Sequence, residues 1–344
     1  YKKQVVDAQL GKFKVDENRL DANSRKIELS FVKLPSYSAS PKAPIVYLSG
    51  GPGGSATGTA KRSRYKLFDE LRKVSDVILF DQRGTGLSND LPECKTKSAP
   101  IDTPSIEKEV REQVIKDIKY CVQQWSADNF DLNGYNTKQN AADIVDLANA
   151  LGVKKVNLLG ISYGTHLAFT VAKYHPEIVN QMVLASSEGL DHTIKLPERT
   201  QDLIVSIDEM LKTSEATKAR YPDLTKTISS VLTKVKKSPV VVNTQDFRTR
   251  KPIKVGIGKL DLQFALSFIF LRDRENVAKL PRMFYDMDKG NFAEIGAYIA
   301  YIKSMSGSYS PMAVAMDSAS GVSKRRFEEI MKQSEYAFVG RTTN

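Results

Sequence analysis

The pentapeptide Gly160-Ile161-Ser162-Tyr163-Gly164 constrains this chain more than any other stretch, because of what flanks it. The apolar run Lys155 to Gly160 reads as a strand buried on both faces, and residues from about Thr165 to Tyr174 have helical spacing. A serine bracketed by glycines where strand gives way to helix is the pattern of a nucleophile on a sharp, strained turn, its hydroxyl thrust outward. The helix N-terminus behind it favours developing negative charge. A Gly-x-Ser-x-Gly in an ordinary turn lacks this setting, so Ser162 reads as a nucleophile.

Three further runs share the continuous apolar character of parallel strands: Pro44 to Ser49, Asp76 to Asp81 and Gln181 to Ala185. Helical spacing predicts helices at about Lys61 to Val74, Ser105 to Trp125 and Thr137 to Leu151 between them. Alternation of this kind predicts a doubly wound, mostly parallel α/β sheet. Ahead of it, Leu10 to Val15 and Lys26 to Lys33 read as two antiparallel strands at the sheet's early edge. After about Leu190 the pattern becomes charged and mainly helical (Pro197 to Thr213, Asp223 to Lys236, Asp261 to Phe270, Phe292 to Ser304). A hairpin at Val240 to Val255, with its polar turn at Thr244 to Lys251, interrupts these helices. An insertion of this type is how a cap covers a site at the carboxyl ends of strands.

Two loops add chemistry. Ser49-Gly50-Gly51-Pro52-Gly53-Gly54 follows the first parallel strand and is glycine-rich enough to turn amides toward an oxyanion, with Gly51 and Tyr163 as the expected backbone donors. It lacks the Lys-Ser/Thr ending of a phosphate loop and the spacing of a dinucleotide fingerprint. Asp81-Gln82-Arg83-Gly84-Thr85-Gly86-Leu87-Ser88 follows the next strand and reads as an ion-paired tight turn that shapes the oxyanion loop, rather than as a substrate contact.

Composition excludes other classes. The formal charge of +11 comes from lysines and arginines spread along the whole chain without aromatic interleaving, a solvated basic surface rather than a nucleic-acid site. The richest apolar run, Leu262 to Leu271, is too short for a membrane helix. Cys94 and Cys121 form no metal-ligand pattern with the three histidines, so no metal or cofactor is expected. As a disulfide the pair would favour an exported protein; as two buried thiols it would say nothing.

Taken together, Gly-Gly-Pro-Gly-Gly, Asp-Gln-Arg-Gly-x-Gly-x-Ser and Gly-x-Ser-Tyr-Gly-Thr, in this order over Leu10 to Leu190, resemble the prolyl iminopeptidase and tripeptidyl aminopeptidase family of α/β-hydrolases. The resemblance implies an α/β-hydrolase fold with a mainly helical cap and oxyanion donors at Gly51 and Tyr163. It also implies cleavage of amino acids or short peptides from a free N-terminus, and for many members export. Ser49 departs from the common pattern, in which a histidine precedes the glycines. The pair Cys94 and Cys121 resembles a disulfide of exported members. Glu188, Asp191 and Asp317 are candidate carboxylates for a substrate ammonium, each of which could instead be solvated or a helix cap.

The expected division is a core at 1–190, a cap at 191–310 and a return toward the core at 311–344. A serine nucleophile needs a base oriented by a carboxylate, in chain order Ser, Asp or Glu, His. His166 and His175 lie on or at the end of the helix after Ser162, and His192 precedes the cap; residues 321–344 contain neither a histidine nor a predicted strand pair. The expectation is that the native protein continues beyond Asn344, with the final strands, the triad Asp and the His there, and that any leader ahead of Tyr1 has been cut off or left out. The sequence-level alternatives are an esterase of the same fold and a non-catalytic binding protein that keeps the pocket.

Overall fold

The computed structural model describes residues 5–62, 64–88 and 91–342. In chain order the elements begin β1 (Gln9–Asp16), β2 (Lys26–Leu34), β3 (Lys42–Leu48), α1 (Ala56–Ala60), α2 (Tyr65–Leu71) and β4 (Ser75–Asp81). They continue with β5 (Cys94–Lys95), α3 (Glu107–Ala127), α4 (Thr137–Ala150), β6 (Val156–Ile161), α5 (Tyr163–Tyr174) and β7 (Val179–Ala185). Next come α6 (Pro197–Leu211), α7 (Glu215–Arg220), α8 (Leu224–Lys237), the hairpin β8 (Val240–Gln245) and β9 (Pro252–Ile257), α9 (Lys259–Phe268), α10 (Arg274–Asp288) and α11 (Ala293–Ser304). The last are β10 (Ser308–Tyr309), α12 (Pro311–Ser320) and α13 (Lys324–Tyr336). The chain divides into two compact units: one of residues 1–94, 120–193 and 309–321, the other of residues 95–119, 194–308 and 322–344.

The first unit is built on a six-stranded sheet in the order β1-β2-β4-β3-β6-β7. β1, β2 and β4 pair antiparallel, and β4, β3, β6 and β7 pair parallel, as their apolar runs predict. Side chains alternate across the parallel strands, which is what a period of two requires. Val46, Leu48, Ile78, Phe80 and Leu158 pack with residues of α4, α5 and α12 on one face. Ile45, Tyr47, Val77, Leu79 and Leu159 pack with residues of α1 and α2 on the other. One helix was expected at Lys61 to Val74; two short ones form instead, and the first starts earlier because Ser55 caps it by accepting from the Gly58 amide.

The strand order reverses beside β3, since β4 lies on one side of it and β6 on the other. The carboxyl ends of β3 and β6 therefore open a crevice, the place where ligands bind in open α/β sheets. The glycine-rich loop leaves β3 and the serine turn leaves β6. β7 is the outer strand among the described residues, with Val183 64% exposed.

A buried charge holds this unit together. Arg83 and Asp143 are both 0% exposed and meet through two hydrogen bonds of 2.7 Å, from Nε to Oδ2 and from Nη2 to Oδ1. The remaining N–H groups of Arg83 donate to Glu17 O and Gly134 O at 2.5 Å each, and to Asp16 O at 3.4 Å. All five donors of the guanidinium are thus used, so the turn after β4, the end of β1 and helix α4 are locked together. Cys94 and Cys121 lie 5.6 Å apart at Cα with their sulfurs within bonding distance, next to Trp125, whose indole donates to Pro92 O at 2.9 Å.

The second unit has its own apolar core, drawn from α6, α8, the hairpin, α9, α10 and α11. Residues 95–119 were expected in the core and 322–344 on a return to it; both group with this unit. Polar ties explain the difference. The buried ammonium of Lys303 donates to Thr103 O at 2.6 Å and Gly256 O at 2.9 Å and lies 3.3 Å from Asp261, which in turn accepts from Ser105. Gln263 donates to Phe338 O at 2.9 Å, and Thr342 donates to Gln263 O at 3.0 Å. Helices α7, α10, α12 and α13 were not anticipated, and α10 carries Pro281 inside it, a residue that argues locally against a helix. Among the described residues no helix is long and apolar enough to cross a membrane.

Removing one partner of a buried pair leaves the other charge uncompensated, which costs about 3–5 kcal/mol. Asp143→Asn is expected to lower stability in urea by that amount. A loss within the 0–1 kcal/mol or so typical of exposed pairs would show that Arg83 does not hold the unit together.

Candidate active site

Ser162 sits between β6 and α5 at φ 57° and ψ −127°, a conformation that costs a non-glycine residue about 1–3 kcal/mol. Three hydrogen bonds hold it there. Its amide donates to Ala185 O at 3.0 Å, and its carbonyl accepts from the Thr165 amide at 2.8 Å and from Thr165 Oγ1 at 2.7 Å. The flanking glycines answer a steric demand: a Cβ on Gly164 would lie 2.0 Å from Leu48 O, so only glycine lets the elbow pack on β3. A Cβ on Gly50 would lie 2.9 Å from Ser162 Cβ and 3.4 Å from its Oγ, so the glycine-rich loop lies directly against the serine.

That loop is pinned from behind. Gly54 donates its amide to Gly50 O at 3.0 Å, and Gln82 donates through Nε2 to Ser49 O at 3.1 Å. Asp81 is fully buried and accepts from Ser55 Oγ, the Thr57 amide, Thr57 Oγ1 and the Leu87 amide. The segment Asp81-Gln82-Arg83 therefore braces the loop and helix α1. Gly51 has φ 132° and is exposed. Tyr163 begins α5, so its amide is one of the four that a helix leaves without an intrahelical acceptor.

The Tyr163 side chain turns inward. Its hydroxyl lies 3.1 Å from Thr137 Oγ1 and donates toward Met316 Sδ at 3.3 Å. Burial pushes the phenol up to about 12; hydrogen bonds from Thr137 and Asn140 oppose the rise, and the charges of Asp317 and Glu188 add to it. Glu188 is buried, and its amide donates to Thr165 Oγ1 at 2.7 Å. Asp317 is exposed on α12. Asp191 lies in the turn that the His192 amide closes on Gly189 O at 3.0 Å.

The histidines are occupied elsewhere. His166 is buried, with Nδ1 3.1 Å from Gly189 O and its ring stacked on Tyr163 at 5.8 Å. His175 ends α5 with Nδ1 3.8 Å from Glu177, and His192 Nδ1 accepts from the Gly189 amide at 3.3 Å. Among the described residues Ser162 Oγ makes no hydrogen bond to any of them. Sequence reasoning overlooked Thr165, Thr137 and Asn140. Thr165 stood in view after Gly164, but nothing in the one-dimensional pattern showed that its hydroxyl spans from the elbow to Glu188.

Residues 43–229 match the profile of the alpha/beta hydrolase fold, more than half of the chain. The chain belongs to the alpha/beta hydrolase family. Within it, the chain is 32% identical over 154 residues to a tripeptidyl aminopeptidase of Streptomyces coelicolor, covering 41% of this chain and 28% of that protein. It is 28% identical over 151 residues to a proline iminopeptidase of Lactobacillus acidophilus, covering 43% and 37%. The match therefore spans about a third of each relative. A proline iminopeptidase-related protein of Thermus thermophilus aligns over 56% of this alpha/beta hydrolase chain and 51% of its own, at 19% identity and TM-score 0.34.

Thr165 is fully buried and its hydroxyl serves Ser162 O and the Glu188 amide together. Thr165→Val is expected to destabilise the chain by about 1–3 kcal/mol by leaving these groups unpaired, and Thr165→Ser to regain most of it. Equal stability of all three in urea would remove the hydroxyl from any role in holding the elbow.

Proposed function

We propose that the protein containing this chain is a serine hydrolase that releases amino acids or short peptides from the free N-terminus of peptides. Ser162 attacks the scissile carbonyl and its proton passes to a histidine base; the base then protonates the departing amine, leaving an acyl-enzyme that water hydrolyses. The amides of Gly51 and Tyr163 stabilise the tetrahedral oxyanion. No step uses a metal or cofactor. The observation that carries the reading is the strained Ser162 between β6 and α5, hard against Gly50 of the glycine-rich loop.

Peptides are favoured over simple esters by the names of the relatives, with Glu188, Asp191 and Asp317 as the candidate acceptors for a substrate ammonium. A disulfide between Cys94 and Cys121 suits an exported protein.

The test uses the full-length protein with aminoacyl and tripeptidyl arylamides beside simple aryl esters. Arylamide turnover abolished by Ser162→Ala is expected, and activity confined to esters would sink the peptidase reading. Failure of a fluorophosphonate to label Ser162 would favour a non-catalytic binding protein. Glu188→Gln is expected to raise KM for free-amine substrates about 10–100-fold, the worth of a charged hydrogen bond at about 1.5–3 kcal/mol, and to leave N-acetylated substrates unaffected. Residues 1–344 alone are expected to turn over feebly, since the three histidines of this chain are engaged elsewhere among the described residues. Full turnover by residues 1–344 would direct attention to His192.

A further inference from the structure

We propose that Gln82, Asn140 and Thr137 are positioning residues for the oxyanion hole, joined with the Tyr163 hydroxyl, through the Met316 sulfur, in one buried chain of contacts that ties the glycine-rich loop to the residue after the nucleophile. The proposal rests on the assignment of Gly51 and Tyr163 as oxyanion donors.

The chain can be followed atom by atom. At the loop end, Gln82 donates through Nε2 to Ser49 O at 3.1 Å, which sets the plane of the peptide leading into Gly50 and Gly51. Gln82 Oε1 faces Asn140 Nδ2 at 3.5 Å, and Asn140 Nδ2 and the Tyr163 hydroxyl both point at Met316 Sδ, at 3.6 and 3.3 Å. That hydroxyl meets Thr137 Oγ1 at 3.1 Å, and Thr137 meets Ser320 Oγ at 3.2 Å. Ser49, Gln82, Thr137, Asn140 and Tyr163 are all buried. They come from the ends of β3 and β4, from α4 and from the elbow, all within the first unit.

The physical need is specific. Oxyanion donors act only when they lie about 2.7–3.1 Å from the position the developing charge will occupy. One donor here belongs to a loop of five residues with four glycines, which has little stiffness of its own. The other belongs to the first residue of a helix. A buried polar chain between them fixes their spacing where backbone rigidity does not. Stability is a poor explanation for it. Asn140 Oδ1 is buried without a hydrogen-bond partner, and the Gln82 to Asn140 contact is at the long limit of a hydrogen bond, so an apolar side chain of similar size would serve packing better.

The test compares Gln82→Met, Asn140→Leu, Tyr163→Phe and the double variant Gln82→Met/Tyr163→Phe in the full-length enzyme. Rates are expressed per Ser162 titrated by fluorophosphonate, so that partial unfolding does not count. Each single variant is expected to lower kcat about 10–100-fold, the effect of a small misplacement of a reacting group, on arylamides and esters alike and with KM within about twofold of the parent. Affinity for a peptidyl trifluoromethyl ketone, whose adduct with Ser162 carries the oxyanion, should fall in parallel with kcat. The double variant should lose no more than the worse single one, because both cut the same chain. Tyr163→Phe removes a single oxygen and keeps the test decisive if the amide variants do not fold. A kcat for folded Tyr163→Phe within about twofold of the parent, or multiplying losses in the double variant, would overturn the proposal while leaving the serine mechanism standing. Activity persisting in Ser162→Ala would overturn both.

Discussion

Arg83 carries a permanent positive charge to a place with no solvent, and the first unit is arranged around satisfying it. An unpaired guanidinium there would be prohibitive, so Asp143 comes from a helix 60 residues away and three backbone carbonyls turn inward. Meeting these demands fixes where α4 lies relative to the end of β4. Asp143 is shared with Arg19, which also bonds Asp146 and Gln139, so helix α4 is tied to the segment after β1 as well as to the turn after β4.

Part of what supports the serine turn follows from that placement. Three consecutive residues at the end of β4 point three ways: Asp81 braces helix α1, Gln82 reaches the glycine-rich loop, and Arg83 anchors α4. Because α4 is anchored, Thr137 on its first turn is delivered to the Tyr163 hydroxyl, and Asn140 to the Met316 sulfur that this hydroxyl also meets. The strain at Ser162 is tolerated because its neighbours over-determine it: β3 on one side, Ala185 O on another, and the Thr165 hydroxyl beneath. A change at Arg83 would therefore reach the site through α4, although Arg83 faces no substrate.

The strands of the parallel sheet were legible because burial on both faces leaves a continuous apolar run, and Ser162 was legible because its turn permits so few residue types. The helices of the second unit were read less well. Their order is set by tertiary contact, and Pro281 within α10 contradicts its own segment. The boundary between units was also hidden. Lys303 looks like any other lysine of a basic chain, yet its burial against Thr103, Gly256 and Asp261 draws residues 95–119 into the second unit.

By itself, the sequence determined the class of sheet, the strained serine turn and the loop that lies against it, since each rests on local rules of period, glycine geometry and turn chemistry. Only the tertiary structure decided what holds them. It paired Arg83 with Asp143, turned Glu188 and Tyr163 inward rather than outward, and gave Gln82 and Asn140 a shared task. These are contacts between residues tens of positions apart, and a one-dimensional pattern carries no distance between such residues until the burial of charge and polar groups forces them to meet.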